Sequence, residues 1–158
     1  MEKLLFHMMS LRNTSSHFHI IGISRRRAEG LDDLAKYRLA SAKEKLTSAK
    51  VLLDAGLYKD SVGRSYYAIF SAIRAVLATK QVDFSKHAGV ISYFQREYIK
   101  TEVFDRKYSK YLQDAFQIRN SCDYDDFFIV SKQDAEEQYE RAVEILGVIE
   151  QYIKELVR

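Results

Sequence analysis

Residues 131–158 read SKQDAEEQYERAVEILGVIEQYIKELVR, and this stretch decides the fold class. Ala135, Tyr139, Ala142, Leu146, Ile149, Ile153 and Leu156 step by four, three, four, three, four and three, the spacing of a single apolar stripe on an α-helix. Ser131-x-x-Asp134 ahead of the stripe is a capping box, in which two side chains satisfy amide groups that the first turn leaves open.

Upstream, the same period recurs four times. Asp32 or Asp33 can cap a helix to about Ala55, with Leu34, Leu39, Ala42, Leu46, Ala49 and Leu53 on its stripe, and Gly56 is placed as its left-handed stop. A second helix, about Lys59–Thr79, carries Val62, Tyr66, Ile69, Ile73, Val76 and Leu77. Ser85 can cap a third, with Val90, Ile91, Phe94 and Tyr98 on one face. A fourth, about Phe104–Asn120, buries Tyr108, Tyr111, Leu112, Ala115 and Ile118, before a polar break at Cys122–Asp126. Proline is absent and glycine numbers six in 158 residues, so strand edges and tight turns have few of the residues they favour. The reading is all-α: an antiparallel up-and-down bundle of about five helices over 31–158.

Residues 1–30 read as a weakly structured N-terminal extension, without a 3.6 period and with His7, His17 and His19. Leu4–Leu11 is short for a signal peptide and lacks a small-residue cleavage site. The formal charge of +3 belongs to this extension, which holds Lys3, Arg12 and Arg25–Arg27 against Glu2 and Glu29. The body balances its charges, so it lacks the electrostatic footprint that dominates phosphate-backbone binding. One cysteine, Cys122, allows no internal disulfide, and no Cys/His cluster has zinc-ligand spacing, so no metal or other cofactor is expected. No apolar run reaches the ~18–20 residues of a membrane span. A cytoplasmic, membrane-free setting is expected.

Two groups of residues could carry chemistry. Tyr66 and Tyr67 are adjacent on the second helix and therefore point about 100° apart. With Tyr66 in the core, Tyr67 shares a polar face with Arg64, Ser71 and Arg74, either solvated surface or a ligand contact. Arg119-Asn120-Ser121-Cys122-Asp123-Tyr124 sets a guanidinium beside an amide, a carboxylate and a phenol, a reasonable clamp for phosphate. A cation near a helix C-terminus is also favoured by the macrodipole alone.

With Ser65-Tyr66-Tyr67-Ala68-Ile69-Phe70, Lys86-His87-Ala88-Gly89-Val90-Ile91, and Arg119-Asn120 followed by Asp123-Tyr124-Asp125, the body from about Tyr37 to Leu156 resembles the HEPN family of small helical bundles. The resembling branch is the bacterial and archaeal one whose genes often sit beside a minimal nucleotidyltransferase. The resemblance implies a toxin-like component of a toxin–antitoxin module that acts on RNA as a homodimer, two copies sharing one cleft, with a nucleotidyltransferase antitoxin as partner. Active members are metal-independent endoribonucleases with an Arg, a polar residue and a His four to six positions beyond the Arg. Arg119 takes the phosphate role and Asn120 the polar role, while the position of the His holds Tyr124. A phenol with pKa of about 10 is a poor base at neutral pH beside an imidazole of about 6.5. Tyr124 is thus a degenerate catalytic position, and weak or absent cleavage is expected. Arg64, Tyr67 and Asp123 are the nucleotide- or RNA-binding candidates. A non-catalytic nucleotide-binding or protein-interaction module is the alternative. The Tyr two positions after the His, which the partner of toxin members adenylylates, corresponds here to Asp126, so that regulation does not carry over. His87, the single body histidine, reads as a helix-start or packing residue.

Overall fold

The computed structural model describes residues 25–156, with side chains for 33–156, so the first 24 residues, and with them His7, His17 and His19, lie outside the described part. Among the described residues there are five α-helices and no strands. They are α1 (Arg25–Asp54), α2 (Tyr58–Ala78), α3 (His87–Phe94), α4 (Lys107–Tyr124) and α5 (Lys132–Leu156). A π-helical turn, Gln95–Ile99, continues α3 directly.

Cross-helix contacts fix the directions. Ser61 Oγ donates to the Ala49 carbonyl at 2.8 Å and Arg38 Nη1 to that of Arg74 at 3.1 Å, so α1 and α2 are antiparallel. Lys43 meets Glu150 at 2.7 Å and Lys50 lies over the Tyr139 ring, which makes α1 and α5 antiparallel. Arg141 pairs with Asp114 at 2.8 Å and the Tyr108 hydroxyl donates to Glu144 at 3.1 Å, which does the same for α4 and α5. The four long helices run up, down, up, down, and α3 with its π turn fills the crossover from α2 to α4.

The centre is α2, where Val62, Tyr66, Ile69, Ile73, Val76 and Leu77 are all buried, and Ser61, Ser65, Ala68, Ala72 and Ala75 with them. Those small residues face a small-residue stripe on α1 at Ala35, Ala42 and Ala49, each nearly inaccessible. Side chains of this size let two helix backbones approach at the close end of the usual 8–10 Å. Gly56 adopts φ +77°, and Gly56 and Leu57 donate their amides to Leu53 and Leu52, which closes α1 with a Schellman motif. The capping box forms as expected, Asp134 N–H donating to Ser131 Oγ at 3.0 Å and Ser131 N–H to Asp134 Oδ2 at 3.2 Å.

Three expectations need correction. The first helix starts at Arg25, ahead of Asp32 and Asp33, so neither residue caps it, and Leu34 on its stripe is exposed. The third starts at His87 with Lys86 as N-cap rather than Ser85. The fourth begins at Lys107 and continues through Cys122 to Tyr124, so the break falls later than Cys122–Asp126. Ile118 and Cys122 pack against a small apolar cluster of Leu53, Val62, Val130 and Ala135, and that burial carries the helix one turn further. Among the described residues no helix is long and apolar enough to cross a membrane.

Ala42→Leu should destabilise the bundle by about 1–3 kcal/mol, because its site has no spare volume. Ala40→Leu, on the exposed face of the same helix, should stay within about 0.5 kcal/mol of the parent in urea denaturation.

Candidate functional site

The tyrosine pair divides as helical geometry requires. Tyr66 is fully buried, and Tyr67, one residue on, is half-buried at the seam between α2 and α4. Their rings meet edge to face at 5.2 Å between centroids. Against this pair lies Arg119. Its Nη2 donates to the Tyr67 hydroxyl at 3.0 Å, and its guanidinium sits 5.4 Å from the Tyr67 ring centre and 5.9 Å from that of Tyr66. Nη1 donates to Asn120 Oδ1 at 3.2 Å, and Asp123, one turn along α4, takes a 2.8 Å ion pair. Nε is buried with no hydrogen-bond partner among the described residues. Arg119 is only 21% exposed, so this planar cation is oriented from several sides, while its counter-ion Asp123 is 44% exposed and freer to move.

His87 reaches the same place from a different part of the chain. As the first residue of α3 it lies on Phe70 with 4.1 Å between ring centres, and its Nδ1 is 3.2 Å from the Tyr66 hydroxyl. That hydroxyl has no other partner among the described residues. A buried O–H needs an acceptor, so the arrangement that satisfies Tyr66 has it donate to Nδ1, with the imidazole hydrogen on Nε2. Burial pushes the Tyr66 phenol up to about 12 even though Arg119 pulls the other way, so it remains protonated. Packing against the aromatic rings lowers the pKa of His87 below the ordinary histidine value, with smaller contributions from Arg119 and Arg74. At neutral pH the imidazole is uncharged.

The candidates from the sequence are thus partly gathered. Arg119, Asn120, Asp123 and Tyr67 form one cluster. The first two lie within α4 rather than at its end, because the helix continues to Tyr124. Tyr124 itself is 83% exposed and lies about 140° around the helix axis from Arg119. Arg64 is exposed one turn before Tyr67, with no ion pair to any described residue. Asp123 serves as the counter-ion of Arg119.

His87 is the helix-start and packing residue expected from the sequence, while the neighbours that place it are not legible there. Asp83 accepts from Arg38 at 2.6 Å and from Arg74 at 2.8 Å, and these two arginines hold its carboxyl down at about 2. This pins the loop that delivers His87. The signal available was Arg74 on the Tyr67 face; its carboxylate partner, nine residues on and outside any helix, gives no periodic sign. Among the described residues no His/Cys/Asp/Glu group is suited to hold a metal ion.

Comparison with known proteins agrees with this architecture. A family model described as HEPN domain matches residues 35–152. A UPF0332 protein of Thermotoga maritima is 32% identical over 127 residues, covering 80% of this chain and 96% of its own. A Methanocaldococcus jannaschii protein named "Putative toxin MJ0142" is 33% identical over 98 residues, 62% of this chain and 67% of its own. A second from that organism, "Putative toxin MJ0605", is 37% identical over 83 residues, 52% of this chain and 62% of its own. With the model match spanning the whole bundle, from α1 into the last turns of α5, the chain belongs to the HEPN domain family.

Proposed function

We propose that this chain is a toxin-like HEPN protein acting on RNA, in which Arg119 grips a backbone phosphate and His87 exchanges the proton. The observation that carries the reading is the meeting of Arg119, from α4, and His87, from the start of α3, on one tyrosine pair. Two relatives named as toxins support the same direction. A guanidinium held in one plane can follow a phosphate from ground state to the more highly charged transition state. Metal-free cleavage needs a 2′-hydroxyl to lose its proton as it attacks phosphorus, and the departing 5′-oxygen to gain one. The products are a 2′,3′-cyclic phosphate and a 5′-hydroxyl. An uncharged imidazole can take part in such transfers at neutral pH, whereas the phenol at Tyr124 cannot match it.

Asp123 sets the rate low in this account, since it occupies the guanidinium that the phosphate must approach. The same ion pair favours the second reading, a binding module without cleavage. A homodimer with its two sites on a common cleft, and a nucleotidyltransferase as antitoxin partner, belong to the first reading. There Asp123 offsets the repulsion between two Arg119 side chains across the cleft.

Single-stranded RNA incubated with the chain and a chelator should be cut slowly, leaving cyclic-phosphate ends. Arg119→Ala should lower the rate by about 10²–10³-fold and His87→Ala by about 10²–10⁴-fold, while Tyr124→Phe should leave it unchanged. Wild-type cleavage that survives His87→Ala would overturn the role given to His87. Intact RNA throughout, with binding weakened by about 1.5–3 kcal/mol in Arg119→Ala, would select the binding module instead.

A further inference from the structure

Beside the Arg119 cluster, and sharing His87 with it, is a hollow of ≈ 350 Å³ lined by Phe70, Arg74, Asp83, Phe84, Ser85 and His87. This is the small end of the range of small-molecule sites. We propose that it is a nucleotide subsite, holding the nucleobase and sugar next to the phosphate bound by Arg119; the assignment rests on the RNA-directed reading above.

The lining combines the two chemistries that such a ligand needs. Phe84 packs one side against Gly89 and Tyr93, with 5.6 Å between the Phe84 and Tyr93 ring centres, and keeps 39% of its surface exposed. An exposed aromatic ring fixed from behind is a stacking platform, because every base has a π-face. Its fixing depends on Gly89, where a Cβ would meet the Phe84 ring and its own Cβ at 2.9–3.0 Å. Polar donors complete the hollow. Arg74 commits Nη2 to Asp83 and keeps Nη1 without a partner among the described residues. The Ser85 hydroxyl is likewise unengaged and exposed. Charge has the sign a nucleotide requires, for Arg38 and Arg74 share the single carboxylate of Asp83 and leave one positive charge in excess. An apolar peptide would leave these donors unmatched, and a bare anion would leave the aromatic wall unused.

The test measures three probes against the full chain by calorimetry: adenosine 5′-monophosphate, ribose 5-phosphate and inorganic phosphate. The nucleotide should bind about tenfold more tightly than ribose 5-phosphate, a modest value for one base–aromatic stack. Phe84→Leu, which keeps apolar packing but removes the π-face, should erase that advantage and leave phosphate affinity unchanged. Gly89→Ala, whose Cβ would displace Phe84 from its place, should do the same in a chain whose helical circular dichroism is retained. Equal binding of nucleotide and ribose 5-phosphate by the wild type, or an advantage that persists in Phe84→Leu, would overturn the subsite. Arg119→Ala separates the two proposals. Phosphate affinity unaffected by it counts against the Arg119 site, whereas the base advantage is read from Phe84→Leu alone.

Discussion

A helix buried along most of its length is stabilised by satisfying its polar atoms inside the protein; α2 is such a helix, with Ser65 Oγ left without a hydrogen-bond partner among the described residues. Ser61 solves the problem with the Ala49 carbonyl. Tyr66 solves it with His87, a residue separated from it by a loop and a change of helix. Desolvation makes the Tyr66 hydroxyl a donor that must be met, since an unsatisfied buried group costs about 1–3 kcal/mol. The candidate site follows from that requirement. Meeting the Tyr66 hydroxyl draws the start of α3 onto Phe70 and brings an imidazole to the seam where Tyr67 holds Arg119.

The loop between α2 and α3 is built to keep it there. Gln81 takes a left-handed φ of 60°, and Val82 donates its amide back to Leu77, which turns the chain sharply out of α2. Asp83 then ties the loop to α1 and α2 through two guanidiniums, and Phe84 wedges against Gly89 as α3 begins. Fold and site therefore share their supports. Arg74, one of the two arginines that anchor the loop, also lowers the pKa of His87 and lines the hollow beside it.

Much of this architecture is legible in the sequence because amphipathic helices write their own period. The stripe of α5, the glycine stop after α1 and the Ser131–Asp134 cap are local patterns with local causes. Arg119, Asn120, Asp123 and Tyr67 were found because they interrupt such patterns with polar groups. The extent of α4 was misjudged because its last turn, from Ser121 to Tyr124, is polar in sequence yet held by Cys122 against a cluster formed from three other segments. His87 is the helix-start and packing residue that its sequence suggests, but its approach to the Arg119 seam is not legible there, for a related reason. Its position depends on Asp83 reaching Arg38, 45 residues earlier, and no local period reports that contact.

The central claim is that His87 and Arg119 belong to one electrostatic unit around Tyr66 and Tyr67. Its most direct test is the titration of the His87 ring, followed by NMR in the wild type and in Arg119→Gln. The folded-state pKa of His87 is lowered, so its neutral form contributes stability above the unfolded value of about 6.5. That contribution falls away as pH drops through the folded pKa. Removing the positive charge of Arg119 should raise the His87 pKa toward the ordinary value, so that the loss of stability becomes smaller and is complete at a higher pH. A His87 titration that is the same in Arg119→Gln as in the wild type would contradict the account, because the two residues would then not share a site.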